Sequence, residues 1–304
     1  MTHAGSVVMA LGWVVALTTV AGAQQPRQNL SPEERARRQA EQERRYQEEI
    51  RSPRPIEALN SVWIEELTWM EVRDAIAAGK TMAIVPTGGV EPNGPYVATG
   101  KHNYVLQGMC EALARRLGNA LCAPIVKFVP EGVLDPPSGH MRFPGTISLR
   151  AETYEALLDD IGSSLKAHGF KHIIYIGDSG GNQNGMASVA QRQNGRWGQQ
   201  IAHHIPEFYN YDDVLEYMQQ GLGVVHTTDD GFHDNFYITS IMMAVDPTVV
   251  RYDQRVRAGK ATINGVSIVP KERAIEVGKK LIEFRVDATV KAISAALAAA
   301  TNGR

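Results

Sequence analysis

From Trp63 onward the sequence alternates short apolar runs with segments of helical periodicity, and this alternation restricts the chain to few architectures. The apolar runs have the length of buried strands, whereas the helical segments repeat apolar residues at i, i+3, i+4 and i+7. The predicted strands lie at 81–86, 121–129 and 172–176, and the predicted helices at 103–117, 154–165 and 271–299. This order predicts an α/β fold with a mostly parallel sheet covered by helices on both faces. Its ligand-binding crevice is expected at the carboxyl ends of the strands.

The composition excludes several classes of protein. Of the 304 residues, 43% are hydrophobic and 21% are charged, which is typical of a globular chain and not of a disordered or fibrous one. The formal net charge of -2 provides no basic field, so we expect no nucleic-acid partner. Two cysteines, Cys110 and Cys122, are too few for a disulfide scaffold. They could pair in an oxidising compartment or remain buried thiols, and the sequence leaves both alternatives open.

The first residues have the pattern of a secretory signal. An apolar run at 7–20 is followed by the small-residue site Ala21-Gly22-Ala23 and then by Gln24. The run is shorter than a membrane span requires. We therefore predict a signal peptide at 1–23, cleavage after Ala23, a periplasmic or secreted protein and no membrane attachment after cleavage.

A charged segment separates this signal from the body of the protein. Ser31 and Glu34 have the spacing of a capping box. Glutamate and arginine then recur, in part at i and i+4, along a predicted helix up to 51. No apolar face is available for burial in a core. The segment 24–55 is interpreted as a solvated helical spacer, with a partner-binding arm as the alternative. Residues 56–304 are predicted to form a single domain.

Three polar segments carry residue types suited to chemistry. The first is a turn rich in glycine and proline, in which Glu91 could meet His102 and bind Zn or Mn. The alternative is a plain turn with a surface glutamate.

The second polar segment is Gly177-Asp178-Ser179-Gly180-Gly181-Asn182, which contains the GDSGG pattern of chymotrypsin-like proteases. Because it follows a strand of an α/β chain, a glycine-rich turn that brings backbone N–H groups close to a ligand is the simpler interpretation.

The third segment, 226–235, contains two histidines and three aspartates, including His233 and Asp234. Such residues can form a metal-binding cluster. A polar loop with an aspartate that caps the following helix is the alternative.

Taken together, these segments resemble the creatininase (creatinine amidohydrolase) family. The chain carries P-T-G-G-V-E-P-N-G-P at 86–95, F-P-G-T-I-S-L at 143–149, G-G-N at 180–182, and His233 followed by Thr239 and Ser240. The resemblance covers about 63–246, in the family's order. It implies a creatininase-like α/β fold, a homo-oligomer that is frequently a hexamer, and a metal-dependent hydrolase acting on a cyclic amide or related C–N bond of a small-molecule substrate. The family holds two ions of Zn or Mn with a water between them.

The resemblance also identifies departures at the metal-ligand positions. Glu91 is retained, and His233 matches a family histidine, whereas Asn93 and Ser179 stand at ligand-histidine positions and His102 at a ligand-aspartate position. Because asparagine and serine are poor ligands for Zn or Mn, the ordinary two-metal centre is not expected.

We expect instead a rebuilt site with a single ion held by Glu91, His102 and His233. Asp178 or Asp234 would act as a fourth ligand or general base. The expected substrate-binding residues are Asn93, His140, Gly180, Gly181 and Asn182. Two alternatives are a catalytically silent member that has lost the ion and binds a small ligand or acts in an assembly, and a metal-free hydrolase with Ser179 as nucleophile.

Overall fold

The computed structural model describes residues 30–231 and 233–302, so the predicted signal peptide lies outside the described residues. The chain divides into two compact units, Met1–Pro53 and Arg54–Arg304. Within the described residues, no helix combines the length and the apolar character that a membrane span requires.

The described part of the first unit is the helix α1 (Pro32–Arg51). Ser31 caps its first turn, and the side chain of Glu34 returns to the Ser31 backbone, which completes the predicted capping box. None of its residues is buried, and ion pairs such as Arg45–Glu41 lie along it. The helix prediction for this segment is confirmed.

A parallel sheet of four strands forms the centre of the second unit, in the order β2-β1-β3-β4. The strands are β1 (Met82–Thr87), β2 (Ala120–Cys122), β3 (His172–Gly177) and β4 (Ala202–His204). The predicted parallel α/β sheet is therefore confirmed. Strand β2 is shorter than the apolar run at 121–129 predicted, because pairing with β1 continues beyond Cys122 only as an isolated bridge between Thr87 and Val126.

Helices cover both faces of this sheet. They are α2 (Trp69–Ala77), α3 (Lys101–Leu117), α4 (Ala151–Ala167), α5 (Gln183–Trp197), α6 (Tyr211–Glu216), α7 (Phe236–Val245), α8 (Tyr252–Arg257) and α9 (Lys271–Asn302), and a small hairpin, β5 (Thr262–Ile263) with β6 (Val266–Ser267), precedes α9. Alternate strand residues enter two separate cores. Ile84 and Ile174 pack on the side of α3, α7 and α9, whereas Val85 and Ile173 pack on the side of α4 and α5.

Cys110 of α3 and Cys122 of β2 form a disulfide bond. Both side chains are buried, so the bond ties the first long helix of the body to the edge strand of the sheet. The first of the two alternatives for these cysteines is therefore the one observed.

Candidate functional site

The predicted site residues gather at the carboxyl ends of β1 and β3. Glu91 lies in the loop after β1, Asp178 and Ser179 directly follow β3, and His233 lies in the loop before α7. This is the edge at which a parallel sheet presents its loops to a ligand. A cavity of about 990 Å³ opens there, and its walls include Glu91, Ser179 and His233.

Glu91 is the centre of the site. Its Oε1 atom lies 2.9 Å from Lys101 Nζ, 3.0 Å from His102 Nε2 and 3.1 Å from His233 Nδ1, and its Oε2 atom lies 2.6 Å from His140 Nδ1. Burial alone would raise the pKa of Glu91, but hydrogen bonds from His102 and His233 and the charge of Lys101 hold it well below its usual range. The carboxylate is therefore ionised.

His102 connects Glu91 to a second buried carboxylate. Its Nδ1 atom lies 2.7 Å from Asp178 Oδ2, and Asp178 Oδ1 accepts a hydrogen bond of 2.7 Å from Arg285 Nη2. Burial alone would lower the pKa of His102, but hydrogen bonds to Asp178 and Glu91 outweigh it and raise that pKa. Burial likewise opposes ionisation of Asp178, yet Arg285 and His102 keep its pKa low. These groups form one continuous network of charges.

His140 and His233 complete a group of possible metal ligands with Glu91. One ligand atom from each of the three residues lies within 4.8 Å of the others, and the two imidazole rings meet edge to face. Among the described residues, this is the set of histidine and carboxylate side chains close enough to share one ion. One carboxylate and two imidazoles match the ligand set of catalytic zinc sites that keep an open position for water. The donor chemistry therefore fits a single divalent ion.

The backbone at His233 supports a special role for this loop. His233 adopts a φ of 57°, in the left-handed region that non-glycine residues seldom occupy. Such strain persists where the surrounding structure requires it, and it is concentrated at functional sites.

Two buried residues of the site have no counterpart among the predicted site residues. Lys101 lies one position before His102, and Glu131 lies 3.1 Å from His140 Nδ1. Burial and the charge of Glu91 raise the pKa of Glu131 to about 9. A Cβ atom on Gly89 would overlap Glu131 Oε1, so the glycine makes room for this carboxyl group. Adjacency to His102 was the one signal in the sequence that could have indicated Lys101.

The remaining predicted residues have different surroundings. Asp234 is buried, and its Oδ1 atom lies 2.8 Å from Arg255 Nη1. The Asp234 carboxylate is engaged in this ion pair and does not belong to the group of possible metal ligands. Asn93 is buried, and its amide donates to the backbone of Glu91 and Ala98. Asn235, and not an aspartate, caps α7.

The turn after β3 contributes backbone and small side chains to the cavity. Ser179, Gly180 and Gly181 line the wall, whereas Asn182 is buried and donates to Gly88 O, which ties the two strand-end loops together. Because carboxylates occupy both ring nitrogens of His102, this histidine has no nitrogen left to activate Ser179. The geometry gives no support to a serine nucleophile paired with His102.

Aromatic side chains form another part of the cavity wall. Tyr209, Tyr211 and Tyr237 line it, with ring centroids 4.5 Å apart for the first pair and 5.1 Å apart for the second. Tyr211 also donates to the backbone oxygen of Asp178. This wall is suited to packing against a small molecule.

Comparison with known proteins identifies relatives for most of the chain. The family model described as creatinine amidohydrolase matches residues 65–293. The chain is 26% identical over 227 residues to a creatinine amidohydrolase of Pseudomonas putida, covering 70% of this chain and 83% of the relative.

Solved creatininases have the same fold. A mutant creatininase of the Zn-Zn type is 24% identical with a TM-score of 0.57, and a structure titled "Creatininase Mn" is 23% identical with the same score. Each comparison covers 77% of this chain and 98% of the relative. The order of the motifs, the sheet, and the family match over 65–293 lead to one conclusion: this chain belongs to the creatininase family.

Proposed function

We propose that this protein is an exported hydrolase that cleaves a C–N bond of a small molecule, with a cyclic amide as the preferred class of substrate. The reaction would use one divalent ion, Zn or Mn, held by Glu91, His140 and His233. The observation that carries this proposal is the convergence of these three ligand atoms within 4.8 Å at the wall of the cavity. Relative to the sequence-based expectation, His140 replaces His102 as the third ligand.

The division of labour in the site follows from its contacts. A divalent ion bound there would polarise a carbonyl group and lower the pKa of a coordinated water. Lys101 and His102 fix the orientation of the Glu91 carboxylate, and Asp178 in turn fixes the ring of His102. The tyrosine wall and the backbone of Gly180 and Gly181 would position the substrate.

Metal analysis combined with a substrate panel tests the proposal. The mature protein should contain about one ion per chain and hydrolyse at least one member of a panel of lactams, creatinine and linear amides. His140→Ala and His233→Ala should each lose the ion and at least about 100-fold in kcat/KM, because a ligand is removed. His168→Ala, at the exposed end of α4, is the matched control and should retain both. Full activity after complete chelation would overturn the metal mechanism.

A ligand-binding protein without catalysis is the second candidate. The specific observation in its favour is that Glu91 already faces cationic groups of the chain, chiefly Lys101 and His102, and so has partners without an ion. Absence of metal and of hydrolysis, together with saturable binding of a panel compound, would favour this alternative.

Export and assembly are further parts of the proposal. The disulfide Cys110–Cys122 supports export, because such bonds persist in oxidising compartments. Expression in a bacterial host should yield periplasmic protein whose first residue is Gln24, and an intact N-terminus in the cytoplasm would contradict this.

Exposed apolar side chains at Phe128, Val133 and Leu134 support a homo-oligomer. The family resemblance favours a hexamer, and light scattering would measure the oligomeric state.

A further inference from the structure

We propose that the buried ammonium group of Lys101 takes the place of a second metal ion beside Glu91, so that the centre holds one ion and binds it less tightly than it would without this charge. The inference rests on the proposed function, because it concerns the same Glu91–His140–His233 site. Lys101 would be a positioning residue that sets how many ions bind and how tightly.

The position of the ammonium group is the first argument. Lys101 Nζ lies 2.9 Å from Glu91 Oε1, and the two side chains are only 6% and 2% exposed. The same oxygen also faces His102 Nε2 and His233 Nδ1. An incoming ion that used this oxygen would therefore have to displace the ammonium group or lie next to it.

Helix formation does not explain a lysine at this place. Lys101 is the first residue of α3, where the positive end of the helix dipole disfavours a cation. Burial of the ammonium group adds a further cost. Its ion pair with Glu91 is what compensates for both, so the lysine is placed with respect to the carboxylate and not with respect to the helix.

The charges around Glu91 are the second argument. Two ionised carboxylates, Glu91 and Asp178, face the basic side chains of Lys101 and Arg285, and the ring of His102 lies between them. A second divalent ion would add positive charge beside carboxylates that these basic groups already face. The two positions where the family resemblance expects ligand histidines hold Asn93 and Ser179, and the Asn93 amide is already hydrogen-bonded to backbone oxygens.

A purely structural role for Lys101 makes the opposite prediction. If the ammonium group only held Glu91 in place, its removal would loosen a ligand and weaken metal binding. If it competes with the ion, its removal should strengthen binding, because a positive charge no longer lies beside a divalent ion. The sign of the change in affinity therefore separates the two roles.

The experiment measures the Zn²⁺ dissociation constant by competition with a chromophoric chelator, using the metal-stripped full-length mature protein. Lys101→Met removes the charge, and Lys101→Gln removes it but keeps a hydrogen-bond donor for Glu91. Lys101→Arg keeps the charge, and Lys279→Met removes an exposed charge on α9 as the matched control. Circular dichroism verifies that each variant is folded, and Lys101→Gln serves if Lys101→Met is not.

We expect the uncharged variants to bind Zn²⁺ at least about tenfold more tightly than the wild type, from the Coulomb repulsion that is removed. Lys101→Arg and Lys279→Met should match the wild type. A folded Lys101→Gln that binds equally or more weakly overturns the role of Lys101 but leaves the proposed function intact. If Lys101→Gln binds Zn²⁺ and the wild type does not, the role of Lys101 is upheld and the proposed metal-dependent function is overturned. Binding by neither protein overturns both.

Discussion

His102 is buried and His203 is half-buried, and their surroundings shift the two pKa values in opposite directions. His102 lies between two carboxylates, and these hydrogen bonds outweigh burial and raise its pKa. His203, in β4, has the ring of His172 as a neighbour, with the centroids 5.9 Å apart. Burial and the charge of that histidine lower the pKa of His203 to about 4. The folded protein therefore keeps His203 neutral.

The lowered pKa of His203 predicts that part of the acid sensitivity of the protein originates in the sheet. Between pH 6.5, the ordinary pKa, and about 4, the unfolded chain binds a proton at His203 that the folded chain does not. The contribution of His203 is therefore present above pH 6.5 and is lost as the pH falls. His203→Gln should show a smaller drop in Tm between pH 7 and pH 5 than the wild type. His168→Gln is the exposed control, and parallel slopes for wild type and His203→Gln would contradict the assignment.

Some residues of the candidate site could be placed together from the sequence and others could not, for identifiable physical reasons. Glu91, His102 and His233 were expected to converge, and the structure does bring both histidines within 3.1 Å of the Glu91 carboxylate. Motif order and the position of loops at strand ends suffice for that. Lys101 and Glu131 were missed, because no spacing rule indicates that a charged side chain turns inward to meet a particular partner.

At the scale of elements, the packing of α9 on α7 depends on one glycine. A Cβ atom on Gly278 of α9 would overlap the backbone oxygen of Ser240 in α7. The helices therefore approach at this point as closely as their backbones permit. Gly195, inside α5, has no atom within 4 Å of the corresponding Cβ position.

The same substitution should consequently have opposite effects at these two glycines. Gly278→Ala should lower the free energy of unfolding by about 1–3 kcal/mol through overpacking. Gly195→Ala should raise it by about 0.5–1 kcal/mol, because alanine favours the helix. Urea denaturation of both variants measures the difference. A Gly278→Ala variant as stable as the wild type would mean that α9 can move away from α7 without loss.

The disulfide between α3 and β2 should contribute measurably to stability. Its cysteines are 12 positions apart, and a loop of that size corresponds to about 3 kcal/mol in the chain-entropy model. The double variant Cys110→Ala/Cys122→Ala should therefore unfold at lower urea concentration than the oxidised wild type. The wild type should respond to reductant, whereas the double variant should not. Alkylation of both thiols in the unreduced wild type, detected by mass spectrometry, would contradict the bond.

Elements were easier to predict than their ends. The helix at 103–117 and the strand at 172–176 were recovered almost to the residue, because periodicity extends through them. Strand β2 ends after three residues, since its length depends on pairing with β1, which continues beyond Cys122 only as an isolated bridge at Val126. Such information lies in the neighbouring strand and not in the local pattern.

At the scale of the whole molecule, the charged helix and the body are separate compact units. A spacer was expected at 24–55 from the sequence, because a segment without an apolar face cannot join a core. The described residues of α1 are exposed throughout.

We therefore expect the body to keep its stability without the charged helix. A chain that begins at Arg54 retains the ion pair of Arg54 with Asp74 and all the buried residues. Its Tm and its metal content should equal those of the mature protein beginning at Gln24. A clear fall in Tm after truncation would indicate that the helix contributes to the fold of the body.

The network around Glu91 also limits how this site can change during evolution. His102→Asp alone would place a third carboxylate between Glu91 and Asp178, and Lys101→Met alone would remove one of the two buried basic side chains that face Glu91. Either change is therefore costly, because it leaves buried negative charge that only an added cation could balance. Substitutions in this network are therefore epistatic, and a change to a two-metal centre would require compensating mutations in a restricted order.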